Sequence, residues 1–167
     1  GFFRVEKLDG RWMMVDPHGH PFFSTGMDLV GYKQGSFGTD VTRREYLFQR
    51  LPESGPAWMT TGKAVSFYTA NIMRRFGDGW EKKWQDHIVA RLRNWGFNTV
   101  ANWSDYDVAT TSGLPYVIPL QGWTTRKVFP FPWNFPDVFS TEFRDNVDQA
   151  ARRQLTPLTD DPNLIGW

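Results

Sequence analysis

The sequence lacks cysteine, an excess of charge of either sign, and long apolar runs. With no Cys among its 167 residues, disulfides and thiolate chemistry are excluded. The 19 Lys and Arg residues nearly balance the 18 Asp and Glu residues, so no strong field attracts nucleic acid or anionic lipid. No apolar run approaches the roughly 18 residues that a membrane-spanning helix needs. We therefore expect neither a nucleic-acid partner nor a membrane partner.

Signals for a metal site, a cofactor or a nucleophilic serine are also missing. The three histidines, His18, His20 and His87, have no third nitrogen or sulfur ligand at metal spacing. No Gly-x-Ser-x-Gly turn occurs, and Gly77-Asp78-Gly79 lacks the glycine spacing and the lysine of a phosphate-binding loop. The chain begins with Gly1 rather than methionine, so the lack of a leader sequence says nothing about location. We expect no metal and no cofactor.

Aromatic residues, by contrast, are abundant. Nine Trp, fourteen Phe and five Tyr make up 17% of the chain, which leaves two interpretations open. Most of these rings could fill a core, as large apolar side chains usually do. Some could instead offer flat faces to a sugar, because one side of a pyranose ring is apolar and stacks on indole.

The stretch from Trp80 to Asp105 organises the rest of the chain. Asp78 and Glu81 have the spacing of a capping box, and Gly96 is placed to end the helix. Phe97–Ala101 then reads as a short strand, followed by the polar run Asn102-Trp103-Ser104-Asp105. Apolar residues at helical spacing predict a packed helix face made of Trp80, Trp84, Ile88, Leu92 and Trp95.

The remaining elements follow from turn signals and periodicity. Leu8-Asp9-Gly10 predicts a hairpin between 2–7 and 11–16, and Asp16-Pro17-His18-Gly19 predicts a second turn. Further strands are predicted over 21–26, 115–120 and 163–167. Helical segments are predicted over 42–51, 70–76 and 108–112 and after Ser140, and an aromatic, proline-rich loop over 129–136.

A helix that leads into a short strand with polar residues at its carboxyl end is the repeating unit of an α/β barrel. Four candidate strands alternate with helices, whereas a complete eight-stranded barrel takes about 250 residues. We therefore predict an α/β fold, an incomplete (β/α)8 TIM barrel with about the first four strands, preceded by an N-terminal β-hairpin.

Several patches of sequence resemble the start of the catalytic region of β-agarase-like glycoside hydrolases of the family 50 type. The patches follow the same order as in that family and extend over nearly the whole chain. They are Phe2-Phe3-Arg4-Val5, Asp9-Gly10-Arg11-Trp12, Val15-Asp16-Pro17, Gly19-His20, Phe22-Phe23-Ser24, Trp95-Gly96-Phe97-Asn98-Thr99, Asn102-Trp103-Ser104-Asp105, Pro136-Asp137-Val138-Phe139 and Asp161-Pro162-Asn163-Leu164-Ile165-Gly166. Ser140-Thr141 departs from the family, where Asp-Pro is expected before the helix.

The resemblance implies a barrel enzyme that cleaves β-linked galactan-type polysaccharide with retention, using two carboxylates about 5–5.5 Å apart. Residues 1–20 would be the hairpin region, and 21–167 the N-terminal portion of the catalytic domain, truncated at strand four. The family's two catalytic glutamates follow the Asn-Leu-Ile-Gly stretch and strand seven, so this chain would lack both and be inactive alone. A polysaccharide substrate implies a secreted or periplasmic location. The alternative is a non-catalytic carbohydrate-binding protein that uses the aromatic loop.

The candidate substrate-binding residues lie after the predicted strands. Asn102, Trp103 and Asp105 follow one strand, where an amide, an indole and a carboxylate could hold a sugar ring; Asn102 and Asp105 could instead cap the turn. Asp28 takes the matching place after the first strand, where it is either a binding residue or a turn residue. Trp123 and Trp133, in the loop after the third strand, are either stacking platforms or a small loop core.

Overall fold

The computed structural model describes residues 1–33, 38–129 and 134–167. They form two compact units, a central unit of Ser24–Tyr116 and a terminal unit of Gly1–Phe23 with Val117–Trp167. Single 3-10 turns occur at Glu45–Leu47 and Thr156–Leu158. In chain order the other elements are β1 (Arg4–Leu8), β2 (Arg11–Val15), β3 (Pro21–Phe22), β4 (Gly26–Met27), β5 (Thr39–Asp40), β6 (Ala64–Val65), α1 (Phe67–Phe76), α2 (Trp80–Asn94), β7 (Thr99–Val100), α3 (Tyr106–Thr111), β8 (Tyr116–Val117), β9 (Val128–Phe129), β10 (Phe135–Pro136), α4 (Thr141–Leu155) and β11 (Leu164–Gly166).

Parallel strands form the middle of the central unit. β7 pairs with β4 on one side, Val100 opposite Met27, and with β8 on the other, Val100 opposite Tyr116. Thr99, Val100 and Tyr116 are all buried, as expected for a parallel strand that is covered on both faces. The predicted strands at 97–101 and 115–120 are therefore confirmed as parallel neighbours, although each is shorter than predicted. The helices and parallel strands confirm the α/β class.

Helix α2 packs its predicted face only in part. Trp84 and Leu92 are buried, and Gly96 ends the helix with a φ of +81°, as predicted. The predicted capping box is wrong, because the N-cap residue is Gly79 and no side chain caps the helix. The assignment of Trp95 to the core is also wrong, because Trp95 is the C-cap residue and its indole is exposed.

The segment before α2 differs from the prediction at one helix. The predicted helix over 70–76 is confirmed and begins earlier, at Phe67, because the Ser66 hydroxyl accepts the Thr69 N–H. The predicted helix over 42–51 is wrong. There the Asp40 carboxylate accepts the Thr42 N–H at 2.8 Å and Arg43 has a φ of +58°, so the backbone turns and only Glu45–Leu47 is helical.

The predicted buried strand over 21–26 is two separate strands. Pro21–Phe22 pairs antiparallel with β2, whereas Gly26–Met27 pairs parallel with β7. Phe23, between them, is exposed. A run of strand-forming residues in the sequence does not reveal that its two ends bond to different neighbours.

The terminal unit contains the predicted hairpin and the last helix. β1 and β2 pair antiparallel around Asp9 and Gly10, whose φ angles of 48° and 80° are those of a tight hairpin turn. Ser140 caps α4 by accepting the Phe143 N–H at 3.1 Å, as predicted. The predicted last strand is β11, and the Ile118 N–H donates to the Gly166 carbonyl.

The aromatic loop predicted over 129–136 contains a short antiparallel pair, because Phe129 of β9 lies opposite Phe135 of β10. The proposed stacking residue Trp133 lies outside the described residues. Over the ranges that the structure describes, no helix combines the length and the apolar character needed to cross a membrane.

Candidate functional site

The loops that follow β4 and β7 are hydrogen-bonded to each other along their length. We call residues 28–33 and 101–105 the strand-end loop pair. Since β4 and β7 are parallel, both loops leave the same edge of the sheet. The bonds run from Ala101 N to Met27 O (2.9 Å), Leu29 N to Asn102 O (2.9 Å), Val30 N to Ser104 Oγ (3.1 Å) and Asp105 N to Val30 O (3.0 Å).

Asp105 fixes this loop pair from inside. Its side chain is only 4% exposed, and Oδ2 accepts the N–H groups of Tyr32 at 2.8 Å and Lys33 at 3.2 Å. A Cβ atom on Gly31 would lie 2.5 Å from Asp105 Oδ1, so only glycine leaves room for the carboxylate. Although Asp105 is the N-cap residue of α3, its side chain does not cap that helix. It bonds the backbone of the other loop instead.

Trp103 occupies an unusual backbone conformation in the same loop pair. Its φ is +56°, a left-handed region that costs an L-residue roughly 1–2 kcal/mol, and its indole is 52% exposed. The Asn102 side chain holds the turn by accepting the Trp103 N–H at 3.1 Å. Strained bulky residues of this kind are concentrated at functional sites. Leu29, in the neighbouring loop, also has a positive φ, of 57°, and is exposed.

Of the predicted site residues that the structure describes, four of five thus lie in one loop pair. Asp28 directly follows β4 and is exposed, Asn102 is half-buried, and Trp103 and Asp105 have the positions just described. Trp123 belongs to the terminal unit, where its exposed indole makes an edge-to-face contact with Phe143, with ring centroids 6.4 Å apart.

A cleft of about 350 Å³ lies between the first loop and helix α2. The Tyr32 hydroxyl donates to Glu81 Oε1 at 2.9 Å, and burial together with this bond raises the pKa of Tyr32 well above its ordinary value. Lys33 pairs with Asp107, and that hydrogen bond raises the pKa of Lys33. Tyr32 also packs edge-on against Trp84, with centroids 5.1 Å apart. The polar groups of the cleft bond one another. Tyr32 thereby joins the loop to α2 through Glu81, and Lys33 joins it to α3 through Asp107.

The histidines contribute no metal site. Within the described residues, no group of three or more His, Cys, Asp or Glu side chains could hold a metal ion. Asp16 Oδ1 accepts the N–H groups of His18 and His20, each at 2.9 Å, which confirms the predicted turn. These backbone bonds, the one from His20 foremost, lower the pKa of Asp16.

Comparison with known proteins identifies the relatives. No family model matches the chain. β-Agarase B of Vibrio sp. strain JT0107 is 30% identical over an alignment 207 positions long, which covers 99% of this chain and 21% of that protein. β-Agarase A of the same strain is 32% identical, over 90% of this chain and 17% of the relative. The homologues are β-agarases. The chain spans about a fifth of the length of these curated relatives.

Solved structures agree with the match to β-agarases. The crystal structure of an agarase, AgWH50C, superimposes with a TM-score of 0.82 at 30% identity and covers 99% of this chain and 28% of that one. PfGH50B superimposes with a TM-score of 0.77 at 24% identity, again over 99% of this chain and 28% of the other, which supports the fold. The resemblance to β-agarase-like hydrolases stated from the sequence patches is confirmed.

Proposed function

We propose that this chain is the N-terminal portion of a retaining glycoside hydrolase that cleaves β-linked galactan-type polysaccharide. Residues 1–20 form its hairpin region, and residues 21–167 begin an incomplete (β/α)8 barrel that further strands complete. The observation that carries the proposal is Trp103, an exposed indole in a strained conformation at the carboxyl end of a parallel strand. The agarase homologues support the same class of substrate.

The described residues bind sugar rather than break bonds. We assign the Trp103 indole to the apolar face of a galactose ring. Asn102 Nδ2 and the exposed Asp28 carboxylate are assigned to the ring's hydroxyls. Trp123, in the terminal unit, is assigned by itself to stacking on a sugar ring. Asp105 serves the site through its bonds to the backbone of the neighbouring loop, which keep the Trp103 turn in place.

Hydrolysis itself takes place in the intact enzyme. One glutamic acid protonates the glycosidic oxygen while a glutamate attacks the anomeric carbon, and water then releases the glycosyl-enzyme intermediate with retained configuration. By the family resemblance, both glutamates lie outside residues 1–167. This chemistry requires neither metal nor organic cofactor. Because a polysaccharide is too large to enter a cell, we place the enzyme in the periplasm or outside the cell.

The test is an agarose hydrolysis assay on the intact protein. Reducing oligosaccharides should appear, and proton NMR at early times should show that the anomeric configuration of the new reducing end is retained. The polypeptide of residues 1–167 should release no sugar. Binding of agarose without sugar release by the intact protein would favour the carbohydrate-binding alternative. Inversion of configuration would overturn the retaining mechanism.

A further inference from the structure

In the terminal unit, the loop after β8 is bonded to one ridge of helix α4. We call residues 121–127 the clamped loop. Gln154 Oε1 accepts the Gln121 N–H at 3.1 Å, and Gln154 Nε2 donates to the Gln121 carbonyl at 2.7 Å. One side-chain amide therefore satisfies both backbone groups of a residue, as a neighbouring strand would.

A third bond holds the loop two residues beyond Gly122. Asn146 Nδ2 donates to the Thr124 carbonyl at 2.6 Å. Asn146 and Gln154 lie eight residues apart, so they fall on the same side of α4. Glu142 continues this ridge and pairs with Arg126 at 2.9 Å, but that arginine side chain is 92% exposed and the pair adds little stability.

Trp123 lies between the two bonded positions. Trp123 is 41% exposed, and its indole makes an edge-to-face contact with Phe143 of α4. Gly122, with a φ of +83°, makes the turn before it. A ring that is already held in place loses less conformational entropy when a ligand stacks on it, so the loop's bonds to α4 should raise affinity.

We propose that Gln154 and Asn146 are positioning residues that hold Trp123 as a stacking platform for a saccharide ring. The saccharide is taken from the proposed function, on which this inference rests. The two amides do not touch the ligand. They act through the backbone at Gln121 and Thr124, on either side of the tryptophan.

Isothermal titration of the intact protein with agaro-oligosaccharides tests the proposal. Gln154→Met keeps the side-chain length and removes both bonds, and we expect the Kd to rise about threefold to tenfold. Gln149→Met, the same substitution at an exposed position of α4, should leave the Kd unchanged. Asn146→Asp, which replaces the donor with a repelling oxygen at a half-buried position, should weaken binding in the same direction. It keeps the test valid if Gln154→Met folds poorly.

A double-mutant cycle separates positioning from general destabilisation. Trp123→Ala should raise the Kd about tenfold, and adding Gln154→Met or Asn146→Asp to it should have no further effect, because the group being positioned is gone. Additive effects would overturn the proposal. So would unchanged binding by Trp123→Ala in a protein whose binding is lost with Trp103→Ala, an outcome that leaves the proposed function standing. A wild-type protein that binds no agaro-oligosaccharide would overturn both.

Discussion

Two tryptophans flank β7 and have similar exposure but opposite surroundings. Trp95 precedes the strand and is 58% exposed, and Trp103 follows it and is 52% exposed. Trp95 has ordinary helical angles, with a φ of −86°, and the guanidinium of Arg91 lies 5.2 Å from the centre of its ring. Trp103 has a φ of +56°, within a loop that Asp105 ties to its neighbour.

The difference shows that exposure alone does not mark a binding residue. At the amino end of β7, an exposed indole carries no backbone strain and rests under a cation, which is an arrangement that stabilises a surface. At the carboxyl end, the backbone holds an indole in a costly conformation, and in parallel α/β folds ligands bind at that end. The following predictions test this contrast, beginning with the largest expected effect.

Gly31, in the loop after β4 that bonds the Trp103 loop, and Gly96, before β7, should differ most in their tolerance of a methyl group. Gly31→Ala places a Cβ 2.5 Å from the buried Asp105 carboxylate, so we expect a loss of about 2–4 kcal/mol of unfolding free energy. Gly96→Ala meets no atom within 4 Å and should cost about 1 kcal/mol, because only its positive φ opposes the change. Urea unfolding of the intact protein measures both, and equal losses would contradict the close packing at Gly31.

Removal of the two indoles should affect binding unequally. We expect Trp103→Ala to raise the Kd for agaro-oligosaccharides about tenfold or more, which corresponds to about 1.4 kcal/mol, because a stacking surface is lost. Trp95→Ala is the matched control and should leave the Kd within about twofold. Titration calorimetry gives both values. An equal loss in the two variants would remove the functional distinction between the strand ends.

The backbone strain at Trp103 can be measured separately from its indole. Trp103→Gly and Trp103→Ala both remove the ring, but glycine accepts a φ of +56° without a Cβ clash. The glycine variant should therefore be the more stable of the two by about 1 kcal/mol in thermal or urea unfolding. At Trp95, whose φ is negative, alanine should be the more stable replacement. The same order at both sites would argue against strain at Trp103.

The smallest effect is the pH dependence of stability that Tyr32 causes, because at neutral pH the phenol is protonated in both the folded and the unfolded state. Burial and the bond to Glu81 raise its pKa in the folded protein, so the folded state retains the phenol proton to higher pH than the unfolded state. This contribution to stability is complete below about pH 10 and declines as the pH rises above it. Tyr32→Phe should lose less stability than the wild type between about pH 10 and 11. Parallel pH profiles would contradict this linkage.

The parts of the fold that local chemistry determines were predictable from the sequence. The helix stopped by Gly96 after its C-cap, the helix capped by Ser140 and the hairpin around Asp9-Gly10 each follow from residues a few positions apart. The helix predicted over 42–51 failed because a side-chain bond from Asp40 and a left-handed Arg43 redirect the backbone. The prediction that Trp95 is buried failed because periodicity does not reveal that the helix ends one residue before it.

Only those site residues that directly follow a predicted strand could be predicted from the sequence. Asn102 and Trp103 follow a strand in the sequence, and their place after β7 needed no tertiary information. Gly31 and Tyr32 were missed because their roles depend on Asp105, more than 70 residues further along the chain. The left-handed conformation of Trp103 was also hidden, since asparagine or glycine is the usual signal for it.

The Asp105 carboxylate fills the space that a side chain at Gly31 would need, and this limits which residues evolution can place at the two positions. A larger residue at position 31 is admissible only after the carboxylate at position 105 has been replaced by something smaller, and that replacement removes the acceptor for two backbone N–H groups. Among natural relatives, a residue larger than glycine at position 31 should therefore occur only where position 105 is not aspartate. Substitution histories at 31 and 105 should be correlated despite their distance in the chain.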